Sequence, residues 1–268
     1  MTGTIMTESR LDTATELARR AGKLALAYFE NREELLVRQK RHVTDLVSQA
    51  DLEVETLIRD RLNRSFPLDA QLGEEHGLSE GSSGVTWVID PIDGTAPYLN
   101  GLPGWCVSIG ACDEDGPILG VIYVPVLNEL FIAARGQGAT LNGKPVRALD
   151  GDLRSGLLGV GANDRVSSER VGRMLAELSE AGAGWVRYGS GALMLAWVAA
   201  GRLTGYVEPR MSAWDCLAGY CLIQEAGGRV LAFPNGPGLT APAPVLGACA
   251  GAYAELASIC GFGQSPEW

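Results

Sequence analysis

Residues 87–95 read Trp-Val-Ile-Asp-Pro-Ile-Asp-Gly-Thr, an apolar run ending in two carboxylates three positions apart, then a glycine and a hydroxyl. Val88 and Ile89 read as the end of a buried strand. Pro91, with a fixed φ and no N–H, is expected to stop that strand and hold a turn. Asp90 and Asp93 then stand at a strand's carboxyl end, where open α/β folds place their ligands. Two carboxylates at the rim of a core repel each other, and a hard divalent cation with oxygen ligands relieves that repulsion. An Asp-Gly turn capped by its own side chains accounts for this stretch equally well when it is taken alone. Two further acidic sites favour the cation: Leu72-Gly73-Glu74-Glu75-His76-Gly77 upstream, and Ser212-Ala213-Trp214-Asp215 at the start of an apolar helical stretch.

Gly73-Glu74-Glu75, Asp90-Pro91-Ile92-Asp93-Gly94-Thr95 and Trp214-Asp215, in this order and spacing, resemble the inositol monophosphatase family of Mg²⁺-dependent, lithium-sensitive phosphatases. The resemblance runs from the first helix to about Gly247. It implies an α/β (α+β) fold, the layered αβαβα sandwich of the inositol monophosphatase/fructose-1,6-bisphosphatase type. It also implies roughly two to three Mg²⁺ ions per active site. Glu74, Asp90 and the Ile92 carbonyl would hold the first ion, and Asp90, Asp93 and Asp215 the second, with Glu74 bordering a third and Glu75 supporting from behind. Asp45-Leu-Val-Ser-Gln-Ala-Asp51 resembles the family's Asp-Leu-Val-Thr-x-x-Asp, so Asp51 with Thr95 would orient the attacking water. The N–H groups of Gly94 and Thr95, opening a short helix, would bind phosphate oxygens. Gly189, Ser190 and Gly191 match the loop that lines the substrate in relatives, Glu208 a position that contacts a substrate hydroxyl, and Lys40 a basic residue near the entrance.

The residue types suit the reaction. Phosphate monoesters hydrolyse very slowly unaided, because a weak nucleophile must approach an anionic phosphorus. Metal ions neutralise the phosphate oxygens, make water more acidic and stabilise the leaving alkoxide. Magnesium keeps some of its waters, so a few carboxylates and a carbonyl suffice to hold it.

The acids also admit simpler readings. Asp51 would complement a helix dipole, and Trp214-Asp215 before an apolar helix is an ordinary capping arrangement, compatible with metal binding because each use needs one carboxylate oxygen. Glu208 reads otherwise as a strand-end charge, Lys40 as a surface cation, and His42 and His76 as polar loop residues.

Ala96-Pro97-Tyr98 departs from the Asn and Phe that often follow the threonine in relatives, and Ala213 precedes Trp214 where some inositol-specific members differ. These positions are expected to flank the pocket, not the metals. The substrate therefore stays open: inositol 1-phosphate or a similar polyol phosphate, histidinol phosphate, a 3′(2′),5′-bisphosphate nucleotide such as 3′-phosphoadenosine 5′-phosphate, or fructose 1,6-bisphosphate. A regulatory binding protein that retains the fold is the reading from another class.

The chain has 268 residues, 46% of them hydrophobic, enough for a sizeable core. Its formal charge of −10 argues against nucleic acid as a partner. That charge suits a phosphorylated metabolite only if bound cations reverse the sign locally. No leader pattern, no apolar run of membrane-spanning length and no Cys-x-x-Cys pair is visible, so a cytoplasmic protein with reduced thiols and no zinc site is expected. A homodimer follows from the resemblance alone.

The elements that must carry these residues are legible from periodicity. Helices are expected at 8–31, 47–64, 168–181, 190–200, 215–226 and 251–260. An extended piece is expected at 35–40, and strands at 86–90, 106–112, 118–124, 129–134 and 139–141 are expected to form an antiparallel meander. Strands at 156–160, 184–188, 229–233 and 245–249 then alternate with helices. Gly201 and Gly227-Gly228 read as helix stops, and 234–244 as a surface loop. Residues 1–150 are expected to form an α+β subdomain with most of the metal ligands, and 151–268 an α/β subdomain with Asp215 and the substrate pocket.

Overall fold

A computed structural model of the chain describes residues 2–31, 37–39 and 46–262. Lys40 and His42 lie outside the described residues.

Helix α1 (Thr2–Glu30) is followed by a short antiparallel pair, β1 (Val37–Gln39) and β2 (Leu46–Ser48), and by α2 (Gln49–Ser65). Next come β3 (Ala70–Gly73), β4 (Gly77–Ser79), β5 (Thr86–Asp93), the short α3 (Thr95–Leu99), β6 (Cys106–Asp113), β7 (Gly116–Val124), β8 (Glu129–Ala134), β9 (Gly138–Leu141) and β10 (Lys144–Val146). These strands form an eight-stranded sheet ordered β10-β9-β8-β7-β6-β5-β3-β4. From β5 to β9 it is the expected antiparallel meander, β10 extends it by one strand that was not expected, and β3 joins it parallel to β5.

The rest of the chain runs β11 (Leu157–Val160), α4 (Ser168–Glu180), β12 (Gly184–Val186), α5 (Gly191–Ala199), β13 (Gly205–Met211), α6 (Ala213–Glu225), β14 (Arg229–Val230), a 3-10 turn (Gly236–Thr240), β15 (Ala243–Ala248) and α7 (Ala250–Ile259). Its five strands form a second sheet ordered β12-β11-β13-β15-β14. The 234–244 stretch is thus not purely loop. It contains the 3-10 turn, buries Leu239 and leads into β15.

Three cores define the layers. On β5, Trp87 and Ile89 face α1 and α2 with Leu17, Ala21, Val54 and Ile58, while Val88 faces the opposite way. This is the period of two that a strand imposes. Val88 and Ile122 pack against Leu193, Leu195, Leu217 and Ile223 of α5 and α6, which lie between the two sheets. Helices buried on both sides must be apolar nearly all round, and α5 and α6 are. Beyond the second sheet, α4 and α7 bury Met174, Leu178 and Leu256 against Leu158, Val207 and Leu246. The order is α, β, α, β, α. Among the described residues no helix is long and apolar enough to cross a membrane. All six cysteines are free, and Cys216 and Cys221 are buried in α6 as expected.

Candidate active site

The expectation that Pro91 stops its strand is overturned. β5 continues to Asp93, and its register against β6 slips between the pairs Asp90↔Ser108 and Asp93↔Cys106. A proline has no N–H to offer a ladder, so it is tolerated where a bulge makes none necessary. Ile92 N–H instead donates to Asp90 Oδ1 at 3.0 Å, which closes the bulge on itself. The same construction recurs at Glu208-Pro209-Arg210-Met211, where β13 slips against β15 between Glu208 and Met211. Glu208 accordingly lies within a strand, not at its end. Each bulge follows a carboxylate that lines one cleft of about 1020 Å³.

Asp90, Asp93 and Asp215 converge in that cleft, each offering an oxygen within 4.8 Å of the others'. Asp215 comes from α6. Ser212, not the Trp-Asp pair, is that helix's N-cap, and Asp215 sits in the first turn with Oδ2 accepting from Ser212 N–H at 3.1 Å. Its other oxygen remains for a second use. Ser108, opposite Asp90 in register, donates to Trp214 O at 3.2 Å and fixes the start of α6 against β6. Glu74 arrives from β3, whose parallel pairing sets Glu74 N–H on Ile89 O at 3.3 Å, and it lines the same cleft.

Burial pushes the Asp90 carboxyl well above the usual range, and the charges of Glu74, Asp93 and Asp215 add to it. Asp215 is pushed to about 7, first by desolvation and then by Asp93. Asp93 is also raised by burial, against the pull of Ser190 and the N–H groups at the start of α5. The Ser190 hydroxyl donates to Asp93 Oδ2, as does Ala192 N–H at 2.7 Å, and Gly191 N–H reaches Oδ1 at 3.3 Å. A cluster of three carboxylates, which offers only oxygen ligands, fits magnesium better than a softer metal.

The other expected residues are placed as follows. Ile92 is fully buried, lines the cleft, and accepts the Thr95 hydroxyl on its carbonyl at 3.3 Å. Gly94 has φ +93°, and a Cβ there would lie 2.9 Å from Gly104 O, so only glycine fits this turn. Asp51 is buried in the first turn of α2, off the cleft wall. Gly189, Ser190 and Gly191 line the cleft, with the Ser190 hydroxyl engaged by Asp93 and Leu193 N–H. Glu208 also lines it. Burial lifts Glu208 to about 7, although Tyr206 OH and Asn163 Nδ2 donate to its two oxygens. Of Ala96-Pro97-Tyr98 only Ala96 lines the cleft; Tyr98 turns into the first core, donates to Ala25 O at 2.8 Å and stacks edge-on against Trp105.

Several residues were not singled out from sequence. Glu55 is fully buried on α2 and accepts Glu75 N–H at 2.8 Å, His76 N–H at 3.2 Å and Arg59 Nη1 at 3.1 Å. It therefore holds the turn that carries Glu74. The available signal was the i, i+4 series Asp51, Glu55, Arg59, which puts three charges on one helix face. Asn163, Arg187 and Arg210 line the cleft from the second sheet; Arg210 stands in the string Glu208-Pro-Arg, which resembles histidinol-phosphate phosphatases of the same superfamily, whereas nothing in the local sequence marks Asn163 or Arg187.

The likeness to known proteins extends over the whole arrangement. The inositol monophosphatase family matches residues 6–260. Nus factor SuhB of Xylella fastidiosa is 38% identical over 235 residues, covering 85% of this chain and 83% of that protein. The extragenic suppressor protein suhB of Bartonella henselae superposes with a TM-score of 0.86 at 29% identity, over 95% of this chain and 99% of that one. Inositol monophosphatase from Anabaena gives 0.78 at 34% identity, over 97% of both chains. With its motifs, its layers and its acidic cleft in agreement with that match, the chain belongs to the inositol monophosphatase family.

Proposed function

We propose that this protein hydrolyses the phosphate monoester of a small polyol, with inositol 1-phosphate as the reference substrate, and that it depends on Mg²⁺. The observation that carries this is the convergence of Asp90, Asp93 and Asp215 within 4.8 Å in an open cleft. Glu74, Asp90, Asp93, Asp215 and the Ile92 carbonyl would hold the ions. Bound magnesium would supply charge neutralisation and an activated water. The chain's own residues do the rest. Gly94 leaves room for a phosphate to approach the backbone, and the N–H groups of Gly94 and Thr95 face its oxygens. Thr95 orients the water, and Asp51, which lies off the cleft wall, would act only through it. Glu208 and the Gly189–Gly191 loop receive the alcohol. Lithium would inhibit by replacing one magnesium. A homodimer is the assembly, and the cytoplasm the compartment, that this reading carries with it.

The test is phosphate release with and without Mg²⁺ from inositol 1-phosphate, histidinol phosphate, 3′-phosphoadenosine 5′-phosphate and fructose 1,6-bisphosphate. Asp90→Asn is the control. Magnesium-dependent release that the variant loses supports the reading, and absence of release from every ester overturns it. The relatives called Nus factor SuhB support a second reading, a regulatory binding protein that retains the fold. Turnover without a captured partner would set that aside.

A further inference from the structure

Strands β12 and β13 both pair parallel with β11, so the carboxyl ends of all three open on one edge of the second sheet. Arg165 follows β11, Arg187 follows β12, and Arg210 lies near the end of β13; all three line the cleft that holds the carboxylates. Arg187 is fixed by Nη2 donating to Ala162 O at 2.9 Å. The backbone of Arg210 is fixed by Asn163 Nδ2 donating to its carbonyl at 2.7 Å, while its side chain is exposed. Among the described residues no hydrogen bond or ion pair engages the Arg210 guanidinium.

That is against the local supply of partners. The chain carries 32 acidic and 22 basic residues, and Arg135, Arg154 and Arg202 each fork onto a carboxylate. Within the cleft, cations would neutralise Glu74, Asp90, Asp93 and Asp215, leaving Asp164 and Glu208 against three guanidinium groups. With its ions in place the second-sheet wall is therefore positive, in a protein whose formal charge is −10. Guanidinium forks match phosphate and carboxylate geometry, and neutral polyol hydroxyls have no need of them.

We propose that Arg210 and Arg187 form a subsite for a second anionic group, so that the substrate is a phosphate monoester bearing another phosphate or a carboxylate. This rests on the phosphomonoesterase reading and replaces its neutral polyol by an alcohol that itself carries an anionic group. Arg165 adds to the field from the facing loop.

Phosphonates separate the two claims, because a phosphomonoesterase cannot cleave their carbon–phosphorus bond. Binding of propylphosphonate, 3-phosphonopropionate and 1,3-propylenediphosphonate is measured by calorimetry in Mg²⁺, for wild type, Arg210→Ala, Arg210→Lys and Arg187→Ala. Thermal midpoints verify that each variant is folded. The carboxylate or the second phosphonate should strengthen binding about tenfold over propylphosphonate, the size of one added charge-assisted contact. That advantage should collapse in Arg210→Ala and return in part in Arg210→Lys. The stronger of the two bifunctional probes names the second group as carboxylate or phosphate. Equal affinities for all three probes, failure of all three to bind, or an advantage that survives both alanine variants would overturn the subsite. An advantage without phosphate release from any ester would leave the subsite standing and remove the hydrolase reading. Release without the advantage would do the reverse.

Discussion

Asp93 Oδ2 accepts the N–H of Ala192 at 2.7 Å, so a carboxylate on the first sheet caps a helix packed between the two sheets. The same carboxylate accepts from Ser190 and Gly191 and lies within 4.8 Å of Asp90 and Asp215. One side chain therefore joins the cation cluster to the loop that would receive the substrate. Asp93→Asn keeps the size but brings an N–H₂ against donors that need an acceptor. It should lower Mg²⁺-dependent phosphate release by at least about 100-fold. It should also destabilise the protein by about 1 kcal/mol through the weakened cap, read by urea titration. Full activity in that variant would remove Asp93 from the site.

Metal-free stability should fall as pH rises. The folded protein holds Asp215 and Glu208 at about 7, above the usual carboxylate range. Between about pH 4 and about pH 7 the folded state therefore binds more protons than the unfolded one, and stability is lost across that window as pH increases. Thermal midpoints taken in chelator should show the decline. Millimolar Mg²⁺ should flatten it by replacing the protons at Asp215. A metal-free midpoint that climbs from about pH 5 to about pH 7.5 would contradict the burial of these groups.

Glu55 is a positioning residue for Glu74. Its carboxylate occupies the space that a side chain on Gly73 would need, and it gathers the N–H groups of Glu75 and His76. Glu55→Ala strands a nearly buried Arg59 and should cost about 3 kcal/mol. Glu55→Gln keeps the packing and part of the hydrogen bonding. It should weaken Mg²⁺ binding, measured by calorimetry, about tenfold, with a smaller loss of stability. Unchanged Mg²⁺ affinity in a folded Glu55→Gln would confine Glu55 to a structural role.

Gly94→Ala meets two obstacles, a left-handed φ of +93° and the Gly104 carbonyl. It should cost about 1–3 kcal/mol and displace the N–H groups expected to face the phosphate. KM should therefore rise as well as kcat fall. A variant that is as stable as wild type and kinetically unaltered would show that this backbone does not contact substrate.

The order of Gly73-Glu74-Glu75, Asp90 to Thr95 and Trp214-Asp215, with the strand and helix periods around them, was enough to read the family and the layered fold. Those signals lie between neighbours in the chain: alternation along β5, an apolar run for α5 and α6, glycines at the helix ends. The acids that converge were legible for the same reason, since each stands in its own short motif. Tertiary structure alone decided the rest. β3 is a four-residue strand buried throughout, with no alternation to reveal it, and its parallel place beside β5 is what delivers Glu74. Pro91 reads locally as a stop, but pairing with β6 on either side carries the strand past it through a bulge. Asp93 caps a helix 99 residues away, and Glu55 holds a turn 20 residues on. Tyr98, beside the threonine motif, is drawn away from the cleft by the aromatic core under α1. Contacts at such separations depend on how the layers stack, and stacking is a property of whole faces of helices and sheets, which no local string of residues specifies.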